Sequence, residues 1–489
     1  MGMRNDPHAT SAEVASASAT ELRTRLERGV VTSRELVDLF RERGHHLDSS
    51  GDDALHSVAA WADDAEEIAD ELDGARARGE SRGALHGLPV LIKDNIEARG
   101  LPGVAGSTAL QGRPSRDAQL VTRLRRAGAI VMGATNLSQW ANIRSPHSTS
   151  GYSASGGLVG NPWALDRSAG GSSSGSGAAV AAGLSPWSVG TETDGSITCP
   201  ASLNGVTGLK PTVGNVSRDG VVPISHSQDS PGPMARRVDD VALLYGVLSG
   251  TSDTAAPGAR LVEARNWRTG HRDTDAHFEV VMGLLRGDGL EIGGRDAVLP
   301  GPGDHDDELT VMLSELVDDM DAYLSARPGE GVKSLADVVA FEDRFAEVEQ
   351  RYFGHEFFVQ ALASGGCASA DYQAARARNL RWARDLCLRA VLEDYDVVLA
   401  PAYGPAWKSD LVNGDNAQFV SPSIMAAAVA GWPIISVPMG LVEGLPVGLT
   451  LVGRPHSEWT LLAAARQVEE ALSRHEVVAP PTWRAARRG

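Results

Sequence analysis

Cysteine is scarce in this chain of 489 residues, which holds three: Cys199, Cys367 and Cys387. None is spaced as C-x-x-C and the number is odd, which excludes a thiolate cluster of that type and an even disulfide framework. The 13 histidines include no H-E-x-x-H, the zinc-hydrolase spacing. Asp304-His305-Asp306-Asp307 reads as a solvated loop, and neither a metal nor a cofactor is expected. Positive charge is in deficit, with 45 Lys and Arg against 63 Asp and Glu and a formal net charge of −18. That balance opposes non-specific binding to nucleic acid or to an anionic membrane. Met1 to Thr20 lacks an apolar h-region, so no secretory signal is visible and the cytoplasm is the expected compartment. One uncharged stretch, 424–442, is long enough to raise a membrane question. Gly431, Pro433, Pro438 and Gly440 would break a spanning helix there, and the stretch reads as a buried helix over 422–430 followed by a buried strand over 434–437.

The remainder is ordinary for a globular protein with a large core: 42% hydrophobic and 22% charged. Thr32-Ser33-Arg34-Glu35 is a capping box that opens a helix through about Arg43. Residues 19–28 and 61–78 also have helical spacing. Short apolar runs at 88–92, 129–132, 397–400, 434–437 and 447–452 read as buried strands. They alternate with helical segments at 118–127, 175–183, 238–248 and 458–472, an α/β pattern with a mostly buried sheet. Between 253 and 394 helices dominate, at 307–324, 335–348 and 370–392. The expected organisation is one domain over 1–489: N-terminal helices over 11–80, an α/β core over 85–252 and 395–489, and a mostly helical excursion over 253–394.

The chemistry concentrates in two glycine-rich segments. Gly170-Gly171-Ser172-Ser173-Ser174-Gly175-Ser176-Gly177 is followed by Gly190-Thr191-Glu192-Thr193-Asp194-Gly195-Ser196-Ile197. Glycine lets backbone N–H groups crowd around a ligand atom, and serine beside such donors is material for attack on a carbonyl. Lys93 directly follows the apolar run Leu88-Pro89-Val90-Leu91-Ile92. A lysine at the end of a buried strand loses hydration, and the neutral amine can then act as a base. It could deprotonate a serine directly or through a second serine, with no need for histidine.

Three rival motifs fail on context. Gly171-Ser172-Ser173-Ser174-Gly175 satisfies G-x-S-x-G, but Leu165-Asp166-Arg167-Ser168-Ala169 before it is not the buried strand which that elbow requires. No lysine follows the glycine run, which removes the phosphate loop. Val180 occupies the third glycine position of G-x-G-x-x-G.

The chain resembles the amidase signature family. The resemblance rests on Gly170-Gly171-Ser172-Ser173, Asp194-Gly195-Ser196-Ile197, Pro200-Ala201, and Gly208-Leu209-Lys210-Pro211-Thr212. It continues in Gly87 to Asn95, Gly133-Ala134-Thr135-Asn136, Gly232-Pro233-Met234-Ala235-Arg236 and Gly444-Leu445-Pro446-Val447-Gly448, so that it spans about Leu22 to Glu470. The wording of Thr135 to Asn142, Gly190 to Pro200 and Gln228 to Met234 is similar to that of bacterial peptide amidases. The resemblance implies a central mixed twisted sheet covered by helices on both faces. It implies Ser196 as nucleophile, Ser172 as a bridging serine on a cis peptide, and Lys93 as terminal base. The backbone N–H groups of Thr193, Asp194, Gly195 and Ser196 would form the oxyanion hole. The implied reaction is hydrolysis of a carboxamide C–N bond through an acyl-enzyme on Ser196, by a monomer or homodimer.

Departures bear on the substrate. Other branches place an arginine two or three residues after the nucleophile; here those positions are Thr198 and Cys199. That disfavours malonamate-like acids and the tRNA-dependent amidotransferase component, and favours the C-terminal amide of a peptide or of an N-acylated amino acid. The alternatives are the amidotransferase component of a tRNA-dependent ligase, an amide-forming member and a catalytically dead binding protein, the last disfavoured by the joint presence of Lys93, Ser172 and Ser196. Gln139 replaces the glutamate of the peptide-amidase wording, and Asp194 the commoner glycine. Cys199 reads as a packing residue, and so does each of Trp140, Trp163, Trp187 and Trp432. His226 has no evident carboxylate partner.

Overall fold

Apolar runs closed by glycine, proline or a polar turn become the strands of one 11-stranded sheet in the computed structural model. The structure describes residues 11–475 apart from 50, 52, 111, 113–115, 254–257 and 328–330; residues 1–10 of the segment read for a secretory signal lie outside it. In chain order the strands are β1 (Val58–Trp61), β2 (Pro89–Lys93), β3 (Ile130–Thr135), β4 (Trp187–Glu192), β5 (Thr207–Lys210), β6 (Ser230–Ala235), β7 (Leu261–Ala264), β8 (Ile292–Arg295), β9 (Val397–Pro401), β10 (Ile434–Val442) and β11 (Leu445–Gly453). Their spatial order is β1-β3-β2-β4-β6-β5-β10-β11-β9-β7-β8. The sheet is mixed: β3, β2 and β4 run parallel, as do β9, β7 and β8, while the strands between are antiparallel. Every residue of β2, β3, β4 and β11 is buried, as in a sheet covered on both faces.

The Thr32 capping box forms as read. Thr32 Oγ1 accepts from Glu35 N at 3.1 Å, and Thr32 N donates to Glu35 Oε2 at 2.9 Å. The 424–442 stretch is the helix Pro422–Ala430 and then β10. Among the described residues no helix is long and apolar enough to cross a membrane.

Three local readings change and a fourth gains detail. Residues 61–78 begin as the end of β1, whose Val58 and Ala60 pair with Thr135 and Ala134, and only Ala65–Ala77 is helical. The 253–394 region contains β7 and β8, joined across the helix Arg272–Gly287. Two four-residue strands are too short to carry a periodic signal. Asp304 to Asp307 lies in the first turns of the helix Pro302–Ala326, where Asp307 makes a two-point contact with Arg378. Ala164–Ser168 is, as read, no buried strand: it is a half-exposed hairpin arm with Gly160–Asn161 outside the main sheet. The nucleophile-elbow context is therefore still missing.

Candidate active site

β2 and β4 are parallel neighbours, so their C-terminal ends emerge together, and the polar groups cluster there. Lys93, the last residue of β2, is fully buried, and its Nζ lies 2.7 Å from Ser172 Oγ, 2.9 Å from Thr191 Oγ1 and 3.3 Å from Thr191 O. Asn95 Nδ2 donates to the same Thr191 hydroxyl at 3.0 Å. Burial lowers the Lys93 pKa to about 7, with Asp229 and then Glu192 opposing. The Gly171–Ser172 peptide bond is cis.

Ser196 sits on the turn that leaves β4. Glu192, buried, pins this turn: its Oε2 accepts from Ile197 N and Thr198 N, each at 2.7 Å, and from Thr198 Oγ1 at 3.2 Å. Ser173 N donates to Ser196 O at 3.1 Å, which brings the two glycine-rich segments edge to edge. The N–H groups of Thr193, Asp194, Gly195 and Ser196 donate to no acceptor among the described residues. Successive unpaired N–H groups on one turn are, in general, material for binding an anion. Gly195 has φ +76, and a Cβ there would overlap the Tyr403 hydroxyl, so both backbone and space demand glycine. The Ser196 hydroxyl makes no hydrogen bond with another described residue. Asp194 is pushed up to about 7 by burial, with Glu192 adding and Lys210 opposing; its Oδ1 is buried without a partner.

A cavity of about 370 Å³ borders Thr191, Thr193 and Asp229 and runs out past Val222, Ile224 and Tyr323. It flanks the turn and does not include Ser196 in its wall. None of the four tryptophans singled out above lines it. Trp140 and Trp187 are core residues whose indoles donate to Glu342 and Pro89 O, and Trp432 is buried as well. Cys199 is buried too, and burial drives its thiol above the ordinary range, consistent with packing.

The structure pairs His226 with carboxylates that sequence order did not reveal. Its Nδ1 lies 3.0 Å from Asp319 Oδ2 and its Nε2 3.4 Å from Glu315 Oε1, both on the Pro302–Ala326 helix. The imidazole thus clamps the cavity rim to the helical region.

Gln139 has a role internal to the fold. Its Nε2 donates to Glu349 Oε2 at 2.6 Å and its Oε1 accepts from Ala154 N at 3.1 Å. Glu349 is fully buried and also accepts from Ser107 Oγ, Thr108 N and Thr108 Oγ1. A glutamate at 139 would set two carboxylates in contact. Gln139→Glu is therefore expected to lower stability by about 2–3 kcal/mol at pH 8. One carboxyl of such a pair has a raised folded-state pKa, which favours the folded protein at low pH, so the deficit should shrink toward pH 5. Calorimetric Tm at both pH values checks it; an equal deficit at pH 5 and 8 contradicts it.

Comparison with known proteins decides the family. The family model described as Amidase matches residues 45–462. The chain belongs to the amidase signature family. It is similar to the native peptide amidase of Stenotrophomonas maltophilia, at 39% identity and TM-score 0.89, over 97% of this chain and 100% of that one. The peptide amidase solved with the competitive inhibitor chymostatin is 40% identical, with TM-score 0.88 over 95% and 99% of the two chains. A glutamyl-tRNA(Gln) amidotransferase chain of Symbiobacterium thermophilum is 35% identical over 86% of this chain and 90% of its own. This member of the amidase signature family is thus an amidohydrolase, and its structural neighbours include peptide amidases.

Sequence reasoning missed Thr191, Asn95, Glu192 and Asp229 as parts of this site. All four lie within the motif stretches quoted above, which marked the segments but not what these side chains touch.

Proposed function

We propose that the protein hydrolyses the C-terminal carboxamide of peptides or of N-acylated amino acids, giving the free acid and ammonia. The observation that carries the mechanism is the set of contacts around Lys93 Nζ. A neutral amine has two N–H donors and one lone pair. Thr191 O and Thr191 Oγ1 take the two donors, and the lone pair then faces Ser172 Oγ at 2.7 Å. In this reading Lys93 accepts the Ser172 proton while Ser172 accepts the proton of Ser196. Ser196 Oγ attacks the amide carbon, and the negative oxygen forms against the N–H groups of Thr193, Asp194, Gly195 and Ser196. The protons return along the same path to the departing nitrogen, which leaves as ammonia. Water then repeats the attack on the ester, and Ser196 is regenerated.

The substrate assignment draws on the likeness to peptide amidases and on the absence of a cationic anchor after Ser196. Thr198 is spent on Glu192, and Cys199 is buried and uncharged. The flanking cavity of about 370 Å³ has room for an amino-acid residue on the acyl side. An ammonia-release screen over peptide amides, short aliphatic amides, aryl amides and malonamate should give the highest kcat/KM for peptide amides, with no cleavage of internal peptide bonds. Turnover confined to aliphatic or aryl amides would overturn the substrate and leave the amidase chemistry standing.

A second reading is favoured by the likeness to the amidotransferase chain, namely that this protein releases ammonia for a partner. An amide-forming member, in which an amine captures the acyl-enzyme, is its variant. The purified chain separates them, because a free-standing amidase turns over a peptide amide with no partner chain, ATP, tRNA or added amine.

A further inference from the structure

Asp229 stands where the cavity, the Ser196 turn and Lys93 meet. It immediately precedes β6, the antiparallel neighbour of β4, and is buried in the cavity wall. Its Oδ1 accepts from Thr193 Oγ1 at 2.6 Å. Its Oδ2 accepts from Ile224 N at 2.8 Å and Ser225 N at 3.0 Å. The carboxylate therefore ties the turn that carries Ser196 to the 222–229 loop, and no cation lies within ion-pair distance of it among the described residues. Charged groups act on it from further off: Lys93 from β2 and Arg218 from the facing loop. Around Lys93 itself two anions count, Asp229 and, less strongly, Glu192 at the end of β4.

A buried lysine with no anion nearby would lose so much proton affinity that it could no longer draw a proton from serine. An anion in direct contact would have the opposite fault and hold the amine permanently as ammonium. Asp229 sits between these limits: its oxygens are occupied by one hydroxyl and two backbone N–H groups, and its partner Thr193 stands two residues after Thr191, whose hydroxyl lies 2.9 Å from Lys93 Nζ. Burial raises its own pKa to about 6, and the bonds from Thr193, Ile224 and Ser225 favour the carboxylate form.

We propose that Asp229 is a positioning residue with two linked duties: its hydrogen bond to Thr193 holds the Ser196 turn in place, and its negative charge sets how readily the buried Lys93 amine takes up a proton. The proposal rests on the reading of Lys93 as the base.

The two duties separate by substitution. In Asp229→Asn the amide oxygen can keep Ile224 N and Ser225 N, and the NH₂ can donate to a rotated Thr193 hydroxyl, so the shape survives and the charge is lost. Thr193→Val keeps the charge and removes the bond. The chain has four lysines, Lys93, Lys210, Lys333 and Lys408, so a ¹³Cε-lysine NMR spectrum has few signals, and Lys93 is assigned by its loss in Lys93→Arg. The Lys93 titration midpoint in Asp229→Asn is expected to fall by roughly half a pH unit or more, with the acid limb of kcat/KM moving the same way. Thr193→Val should lower kcat several-fold while the Lys93 midpoint stays where it is in the unsubstituted protein. An unmoved or raised midpoint in Asp229→Asn overturns the electrostatic duty, and an unchanged kcat in Thr193→Val overturns the other. Should Asp229→Asn fail to fold, Asp229→Ser with added formate tests the charge, a midpoint restored upward by formate supporting it and an indifferent one overturning it. The NMR midpoint does not depend on turnover. A Lys93 that titrates without any matching limb in kcat/KM would instead refute the base assignment, so the two failures are distinguishable.

Discussion

Ser196→Ala is expected to lower kcat for ammonia release from a peptide amide on the order of 10⁵-fold, the scale of nucleophile removal in serine hydrolases. The proposed chemistry runs through a covalent ester at this oxygen, and nothing else in the turn can replace it. Ser173 is the nearest alternative in the facing glycine-rich segment, but its hydroxyl donates to Thr191 O at 3.0 Å and accepts from Thr191 N at 3.1 Å. Cys199, three residues on, is buried with a thiol held above its ordinary range, far from the thiolate that attack requires. The substitution removes one oxygen and leaves the Glu192 bonds that shape the turn, so substrate affinity by calorimetry should change little while kcat collapses. A slow ester substrate should leave an acyl mass on the peptide containing Ser196 in the unsubstituted protein and none in the variant. Retained turnover, or an adduct on Ser173, would refute the assignment.

Lys93, Ser172 and Ser196, the residues of the proposed triad, could be singled out in the sequence because each is marked locally. Lys93 ends a run of apolar residues, and Ser172 and Ser196 stand beside glycines that only a crowded turn explains. The sheet was visible for the same reason: 88–92 is an apolar run and 447–452 is one interrupted only by Thr450, and both are buried strands. The contacts around these residues were not visible, since each joins positions far apart in the chain with other elements between them. Asp229 is 36 residues from Thr193, Thr191 is 98 from Lys93, and Glu349 is 210 from Gln139. A buried carboxylate reads in sequence like a solvated one, and only the fold shows which donors surround it. Glu349 also explains why the helical region matters to the site. With Glu342, which accepts from Trp140 Nε1 at 2.8 Å, it fastens the 139–144 segment. Trp140, Ala141 and Asn142 all have positive φ there, a conformation that costs non-glycine residues on the order of 1 kcal/mol each and needs such anchors.

Lys93→Arg is expected to be nearly as damaging to kcat/KM as Lys93→Ala, with both losses on the order of 10³-fold or more. Arginine would retain a positive charge at the end of β2, but it remains protonated at every pH of interest and has no lone pair to offer Ser172. In the unsubstituted protein kcat/KM should fall tenfold per pH unit below about 7, where burial has placed the Lys93 pKa, and level off above it. Stability supplies a check that does not depend on turnover. Unfolding returns Lys93 to its ordinary value of 10.5, so between pH 7 and 10.5 the unfolded chain binds more protons than the folded one. Stability from this group therefore rises with pH across that window, and its deficit is complete below pH 7. Lys93→Met has no such deficit. Its Tm relative to the unsubstituted protein should be highest below pH 7 and decline as the pH is raised toward 10.5. A difference that stays constant with pH, together with an active Lys93→Arg, would mean that the lysine is a fixed cation and that another group removes the serine proton.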